Sequence, residues 1–163
     1  MIEMSVYAVL YSWLSRDRIV LLKENQGERY LPIWIGQAEA EAIALRLQGT
    51  AVPRPMTHDL LLSMIEELSG TMRYVVVNDL NNNTFYAGIA VDHNSEVQLV
   101  DSRPSDAIAL AVRADVPIYV EESVLDKAGI VSAPDLRGPA ARSDDLGVFR
   151  DFVDTLDLGD LGN

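Results

Sequence analysis

Two short segments of the sequence, residues 54–59 and 101–106, concentrate the side chains that could carry out chemistry. Each segment holds an arginine, a hydroxyl group and a carboxylate at the predicted start of a helix. Free backbone N–H groups and positive potential at a helix start favour a phosphate or a carboxylate ligand. The carboxylates could instead ligate a divalent cation through oxygen, as in metal-assisted cleavage of phosphodiester bonds.

Helix capping accounts for the same residues without a ligand. Asp59 and Asp106 would stabilise the helix dipole by up to about 1 kcal/mol, and Arg54 and Arg103 could pair with these carboxylates. Glu39, on a neighbouring predicted helix, is interpreted as a solvated side chain. The residues by themselves therefore leave capping and a ligand site open as alternatives.

The spacing of apolar residues predicts the elements that would position the two segments. Pro32 places one predicted strand at an edge or a bulge, because proline cannot donate to a ladder. Thr57 is a predicted N-cap, and the apolar residues after it recur at helical spacing up to Leu68. The predicted strands cover 6–11, 19–22, 30–35, 73–78, 84–91, 97–100 and 118–120, and the other predicted helices cover 37–48, 104–114 and 121–127.

An internal repeat organises these elements. The sequence Ala-Ile-Ala-Leu occurs at 42–45 and again at 107–110, and the order of the predicted elements repeats with the same offset. A unit of three strands and one helix is too small to bury its apolar face alone. The predicted fold class is therefore α+β, in which an internal duplication forms a single curved, barrel-like, mixed or antiparallel sheet with helices packed against it.

Composition divides the chain into a domain and a tail. The predicted domain covers 1–132, with repeat halves at about 4–69 and 70–130. Proline and glycine residues predict a linker over 133–143. A short acidic helix and a frayed tail are predicted over 144–163.

Charge and composition exclude several classes of protein. The formal net charge of −12 argues against non-specific binding of nucleic acid through a basic surface. The sequence has no cysteine, which excludes disulfides and thiolate zinc sites and favours a reducing cytoplasm. The N-terminus lacks the pattern of a secretory signal, and no apolar run approaches the roughly 18 residues that span a bilayer. We therefore expect a cytoplasmic protein that has no membrane partner.

Five stretches together resemble the bifunctional nuclease family, which includes bacterial proteins and plant enzymes credited with both DNase and RNase activity. They occur in the family's order, at 31–36, 54–60, 84–87, 101–110 and 117–120. The resemblance implies a duplicated α+β fold with a barrel-like sheet and nuclease activity on DNA or RNA. The residues that match the family's polar motifs are Arg54, Thr57, His58, Asp59, Arg103, Ser105 and Asp106.

The first functional hypothesis is a nuclease assisted by Mg²⁺ or Mn²⁺. Its predicted catalytic residues are His58, Asp59 and Asp106, with Asp101 and Asp106 as the predicted metal ligands. The predicted phosphate-binding residues are Arg54, Thr57, Arg103 and Ser105. Nucleic acid is then the partner that the family resemblance implies.

The second hypothesis is a non-enzymatic regulatory module that binds an anion or another small ligand at the same helix starts. In this interpretation exposed strands join protomers into a homo-oligomer. Trp34 lies on a predicted edge strand, and the family resemblance implies dimerisation. Together these predict a homodimer.

Overall fold

Seven strands and four helices make up the part of the chain that the computed structural model describes, residues 1–11 and 16–131. The strands are β1 (Ile2–Tyr11), β2 (Arg18–Glu24), β3 (Tyr30–Ile35), β4 (Gly70–Asn81), β5 (Thr84–His93), β6 (Glu96–Ser102) and β7 (Ile118–Val120). The helices are α1 (Gln37–Leu47), α2 (Thr57–Glu67), α3 (Pro104–Ala114) and α4 (Glu122–Ala128). The predicted linker at 133–143 and the predicted helix and tail at 144–163 lie outside the described residues.

All seven strands belong to one sheet, in the order β3-β2-β1-β7-β4-β5-β6. Strands β1 to β3 form one antiparallel meander, and β4 to β6 form another. The short strand β7 joins the two meanders, because it pairs antiparallel with β1 and parallel with β4. The α+β class and the mixed sheet are confirmed.

The expectation of a barrel-like sheet is wrong, because the sheet is open. Closure would require the first and last strands to pair, whereas β3 and β6 lie at opposite edges. Buried residues of α1, α3 and α4 join the buried strand residues in one apolar cluster. Since helices already cover the apolar face, the sheet does not need to close on itself to bury it.

Helix α3 is the most deeply buried helix of the described residues. Ile108, Ala109 and Leu110 are fully buried, and the helix opens with Pro104 in its first turn, where the missing N–H costs nothing. The counterpart in the first half, α1, buries only Ala40, Ala42 and Ile43. Each half therefore has three strands followed by a helix, while a common origin by duplication stays a prediction.

The edge position of Pro32 is confirmed, since β3 pairs with β2 on one side and Pro32 lies opposite Leu21 in that ladder. Within the described residues, the other contact of this kind is an isolated antiparallel bridge between Tyr30 of β3 and Ile130. No helix in residues 1–11 and 16–131 is long and apolar enough to cross a bilayer.

Asp115 ends α3 in the left-handed conformation, with φ 54° and ψ 46°. We expect Asp115→Val to lower the free energy of unfolding by about 1–2 kcal/mol, because a β-branched side chain is strained in this conformation. Asp115→Gly should leave stability unchanged or slightly raised, since glycine adopts positive φ freely. Urea unfolding of both variants checks this, and equal losses for valine and glycine would contradict the backbone explanation.

Candidate functional site

The two polar segments meet where α2 packs against α3. His58 Nε2, in the first turn of α2, lies 3.1 Å from Asp106 Oδ1 in the first turn of α3. His58 is the buried residue of α2, with 8% of its surface exposed. The structure therefore brings together two predicted catalytic residues that are 48 positions apart in the sequence.

Arg103 links the same carboxylate to a third helix. Its Nε donates to Asp106 Oδ2 at 2.7 Å, and its Nη2 donates to Glu39 Oε1 of α1 at 2.8 Å. We call Glu39, His58, Arg103 and Asp106 the helix-start cluster. The interpretation of Glu39 as a solvated side chain is wrong, because 16% of that side chain is exposed and it pairs with Arg103.

Asp59 forms a separate ion pair beside the cluster. Its Oδ1 accepts from Arg113 Nε at 2.5 Å, and Arg113 also donates to the carbonyls of Ala109 at 2.8 Å and Ala42 at 3.1 Å. Arg113 is buried, with 5% of its side chain exposed. Arg113 is not among the predicted site residues, although a charged residue in the last turn of a largely apolar helix, seven residues after Asp106, was a usable signal.

The start of α2 differs by one residue from the predicted one. Met56, not Thr57, occupies the N-cap position, and Asp59 Oδ2 accepts the backbone N–H of Met56 at 2.9 Å. The predicted capping role of Thr57 is therefore wrong; Thr57 is the first helical residue and is exposed. Asp59 supplies the capping interaction that sequence reasoning considered for it.

The hydrogen bonds of the cluster determine its charge. Burial raises the pKa of the Asp106 carboxyl, but the hydrogen bonds from Arg103 and His58 outweigh it, so this pKa lies below its ordinary value. The Asp106 carboxyl is then ionised at neutral pH and can only accept hydrogen bonds. His58 Nε2 must therefore carry a proton, and in the neutral ring Nδ1 is the basic nitrogen. Nδ1 makes no hydrogen bond with any described residue.

The lowered pKa of Asp106 predicts a pH dependence of folding. A carboxyl with a depressed folded pKa contributes stability above its unfolded pKa of about 3.9, and this contribution is lost as the pH falls through the folded value. We expect the free energy of unfolding to fall below about pH 4, and to fall less in Asp106→Asn. Urea unfolding between pH 2.5 and about 6 checks this. Asp126→Asn, at an exposed position of α4, is the control; the same slope in Asp106→Asn and wild type would contradict the assignment.

The predicted metal ligands do not form a ready-made cage. Both oxygens of Asp106 accept hydrogen bonds from the cluster, and Asp101 is exposed on β6. Among residues 1–11 and 16–131, no group of three or more histidine, aspartate or glutamate side chains is arranged to hold a metal ion. A Mg²⁺ or Mn²⁺ site at Asp101 and Asp106 stays a prediction, in which water and substrate phosphates would supply most ligands.

The predicted phosphate-binding residues are divided between two places. Arg103 belongs to the helix-start cluster, and Ser105 is buried in the first turn of α3. Arg54 instead lines a pocket of about 380 Å³ together with Arg46, Arg113 and Asp59. The structure therefore separates Arg54 from the cluster, while His58 and Asp59 connect the two places through the first turn of α2.

The fold and the cluster define an α+β protein with an open seven-stranded sheet and a polar site at two helix starts. The sequence profile of the bifunctional nuclease domain family matches residues 20–133. This range contains all four residues of the helix-start cluster and most of the sheet. The chain belongs to the bifunctional nuclease domain family.

Individual relatives extend this comparison. A protein of Mycobacterium tuberculosis, described as uncharacterized, is 42% identical over 162 residues, which cover 98% of this chain and 97% of the relative. Bifunctional nuclease 2 of Oryza sativa subsp. japonica is 29% identical over 73% of this chain and 38% of its own length. Bifunctional nuclease 1 of Arabidopsis thaliana is 27% identical over 78% of this chain and 41% of its own length. The chain thus spans less than half of either plant protein.

Proposed function

We propose that this protein cleaves phosphodiester bonds in DNA or RNA at the helix-start cluster. The observation that carries the proposal is the hydrogen bond between His58 and Asp106. It joins the two polar segments of a chain that belongs to the bifunctional nuclease domain family. The proposal includes a cytoplasmic location, which the absence of cysteine favours.

The cluster supports a role for His58 in proton transfer. Asp106 holds the ring through Nε2, which leaves Nδ1 as the group that can take a proton from an attacking water or hydroxyl. The Asp106 carboxylate would also stabilise the imidazolium that forms. Arg103 has 66% of its side chain exposed, so its guanidinium could donate to a phosphate oxygen. With 10% of its side chain exposed, His58 could meet a substrate over only a small part of its ring.

The test is a cleavage assay on single-stranded and double-stranded DNA and RNA with purified protein. We expect products from at least one of these substrates. An absence of cleavage of all four, by protein whose folding is verified by circular dichroism, would overturn the proposal.

A divalent cation is the cofactor that we propose for this reaction. Bound Mg²⁺ or Mn²⁺ would polarise the phosphoryl group, and Asp101 and Asp106 would be its protein ligands. Cleavage should therefore stop in EDTA and return when either ion is added in excess. Full activity in EDTA, or an unchanged metal requirement in Asp101→Asn, would count against these ligands.

A non-enzymatic binding module is the second candidate function. The observation that favours it is the ion pairing within the cluster, because the carboxylates of Glu39 and Asp106 both bind Arg103. Such a module would bind phosphates or nucleotides, with a rise in melting temperature but no turnover. A cleavage product in the assay above would exclude this candidate as the full account.

We also propose that the protein forms a homodimer through exposed apolar side chains. Leu60 and Met64 of α2 and Leu68 at its C-cap recur every four residues and are 50–67% exposed. On the edge strand β6, Leu99 and Val100 are about half exposed. Apolar side chains that recur on one face of a helix are normally covered, and a clustered apolar surface is typical of a site of association.

Replacing two of these residues should weaken association. We expect Leu60→Glu/Met64→Glu to elute as a monomer, because charged side chains cannot be buried without partners. Size-exclusion chromatography with light scattering measures this. Leu47→Glu, at an exposed position of α1, is the matched control and should leave the dimer intact. A wild-type protein that is monomeric at about 100 μM, where a typical weak dimer with micromolar Kd is populated, would contradict the proposal.

A further inference from the structure

The pocket that Arg54 lines has a charge opposite to that of the whole chain. Three arginines, Arg46, Arg54 and Arg113, contribute to its wall, against the single carboxylate of Asp59. The lining therefore carries a net charge of +2, in a chain whose formal net charge is −12. We call this cavity the arginine pocket. A concave site lined by one sign of charge concentrates ligands of the opposite sign.

Two of the three arginines form no salt bridge with a carboxylate in the part of the chain that the structure describes. Arg113 is neutralised by Asp59, whereas Arg46 donates to the backbone carbonyls of Val112 and Arg113 at 3.2 and 3.3 Å. These bonds hold the Arg46 guanidinium in place without cancelling its charge. The Arg46 charge helps to lower the pKa of the Asp59 carboxyl, but the ion pair of Asp59 is with Arg113. A cation held in place by neutral carbonyls is a preorganised partner for an anion.

Arg54 is presented by a stiff segment of backbone. It lies between Pro53 and Pro55, and prolines fix their own φ and restrict the residue before them. Its side chain is exposed and makes no hydrogen bond or ion pair with any described residue. Backbone entropy is therefore already low before a ligand binds, and the guanidinium has all its donors free.

The remaining lining of the arginine pocket offers both apolar and polar contacts to a ligand. Apolar residues form most of it, and two hydroxyl side chains can donate or accept hydrogen bonds. These residues are Leu45, Ala51, Val52, Pro53, Pro55 and Met56, with the hydroxyl groups of Thr50 and Ser63. The volume of about 380 Å³ lies near the lower end of the range of small-molecule sites, about 300–1,000 Å³. That volume is sufficient for one nucleotide.

We propose that the arginine pocket binds the terminal phosphate monoester of a single nucleotide, either free or at the end of a strand. Arg54 and Arg46 bind the phosphate, and the apolar wall holds the nucleoside. The inference deepens the proposed nuclease function, on which its nucleotide class rests, by naming a second binding place beside the helix-start cluster. Binding at the arginine pocket requires no turnover, so the two proposals fail separately.

The test is isothermal titration calorimetry on the full chain in EDTA. The probes are adenosine 5′-monophosphate, adenosine, and a tetranucleotide with phosphorothioate linkages, with and without a 5′-phosphate. We expect the two phosphate monoesters to bind, and adenosine and the unphosphorylated tetranucleotide to bind at least about tenfold more weakly, because a charge-assisted hydrogen bond contributes at least that factor. If adenosine 5′-monophosphate binds more tightly than the phosphorylated tetranucleotide, the pocket is assigned to free nucleotides. If the phosphorylated tetranucleotide binds more tightly, the pocket is assigned to strand ends. Either result supports the proposal.

Two variants locate the binding. Arg54→Ala should weaken phosphate-monoester binding by about tenfold or more, and it should fold normally, because Arg54 is exposed and makes no hydrogen bond or ion pair with any described residue. Arg73→Ala removes the same charge from an exposed pair with Asp92 and should bind as wild type. The proposal is overturned if neither phosphate monoester binds at millimolar concentration, or if Arg54→Ala and Arg73→Ala bind equally. If the protein binds nucleotides but shows no cleavage in the nuclease assay, this inference is retained and the proposed function is rejected. If it cleaves nucleic acid but binds no nucleotide in the calorimeter, the proposed function is retained and this inference is rejected.

Discussion

Asp106→Asn should lower the rate of phosphodiester cleavage by about 100-fold or more. Asparagine retains the shape of the side chain but cannot stabilise a protonated His58 through charge, and it no longer fixes the proton on Nε2. General acid–base groups typically contribute about 10²- to 10⁴-fold to a rate. The substitution also leaves Arg103 with Glu39 as its remaining carboxylate partner. The loss should therefore appear in kcat as well as in kcat/KM.

The measurement compares initial rates of cleavage for wild type, Asp106→Asn, His58→Gln and the double variant. If His58 and Asp106 act as one unit, the double variant should be about as slow as the slower single variant. Asp126→Asn makes the same chemical change at an exposed position and should keep the wild-type rate. Wild-type activity in folded Asp106→Asn would show that the cluster connects the helices but does not take part in the reaction.

Asp59→Ala should have the largest effect on stability, a loss of about 3 kcal/mol in the free energy of unfolding. The substitution leaves the buried Arg113 cation without its carboxylate, and removing one partner of a buried pair typically costs about 3–5 kcal/mol. The lower figure applies because 31% of the Asp59 side chain is exposed. The helix start also loses the acceptor of the Met56 N–H. A loss of this size is a large part of the stability of an ordinary domain, about 5–15 kcal/mol.

A double-mutant cycle with Arg113→Met separates the ion pair from the packing. Methionine fills much of the same volume and needs no charge partner, so Asp59→Ala/Arg113→Met should be more stable than Asp59→Ala alone. Urea unfolding of the four proteins gives the coupling energy. Additive losses would contradict a coupled pair. If the double variant refolds and still cleaves nucleic acid, Asp59 contributes through structure, and its predicted catalytic role would be rejected.

Local sequence patterns were sufficient for the individual elements. Strand β3 and helix α3 have the predicted bounds, and Pro32 lies on an edge strand as its chemistry requires. These features depend on interactions within a few residues. They are the alternation of side chains along a strand, the helix propensity of the residues and the N–H group that proline lacks. Bounds shifted most for β1 and β4, which extend beyond the predicted ranges. Pairing with a neighbouring strand prolongs a strand past the residues that favour it locally.

Two features of the fold were beyond local patterns. The barrel-like closure was wrong because the choice between a closed and an open sheet depends on what else covers the apolar face, and helices cover it here. On α2, Leu62 and Ile65 pack against the core, whereas Leu60, Leu61 and Met64 are exposed although they recur at the spacing of a covered helix. Periodicity indicates that a face is apolar but does not identify which surface covers it.

The sequence by itself determined the family, the α+β class and the two polar segments that begin α2 and α3. Only the tertiary structure decided how those segments combine: His58 bonds Asp106, Asp59 bonds Arg113, and Glu39 joins through Arg103. The partners in these bonds are between 48 and 64 residues apart. Pairing at that separation depends on which helices pack together, because a polar side chain at a helix interface bonds whatever partner the packing brings near it. For the same reason, an arginine pocket in an acidic chain became visible only in the folded protein.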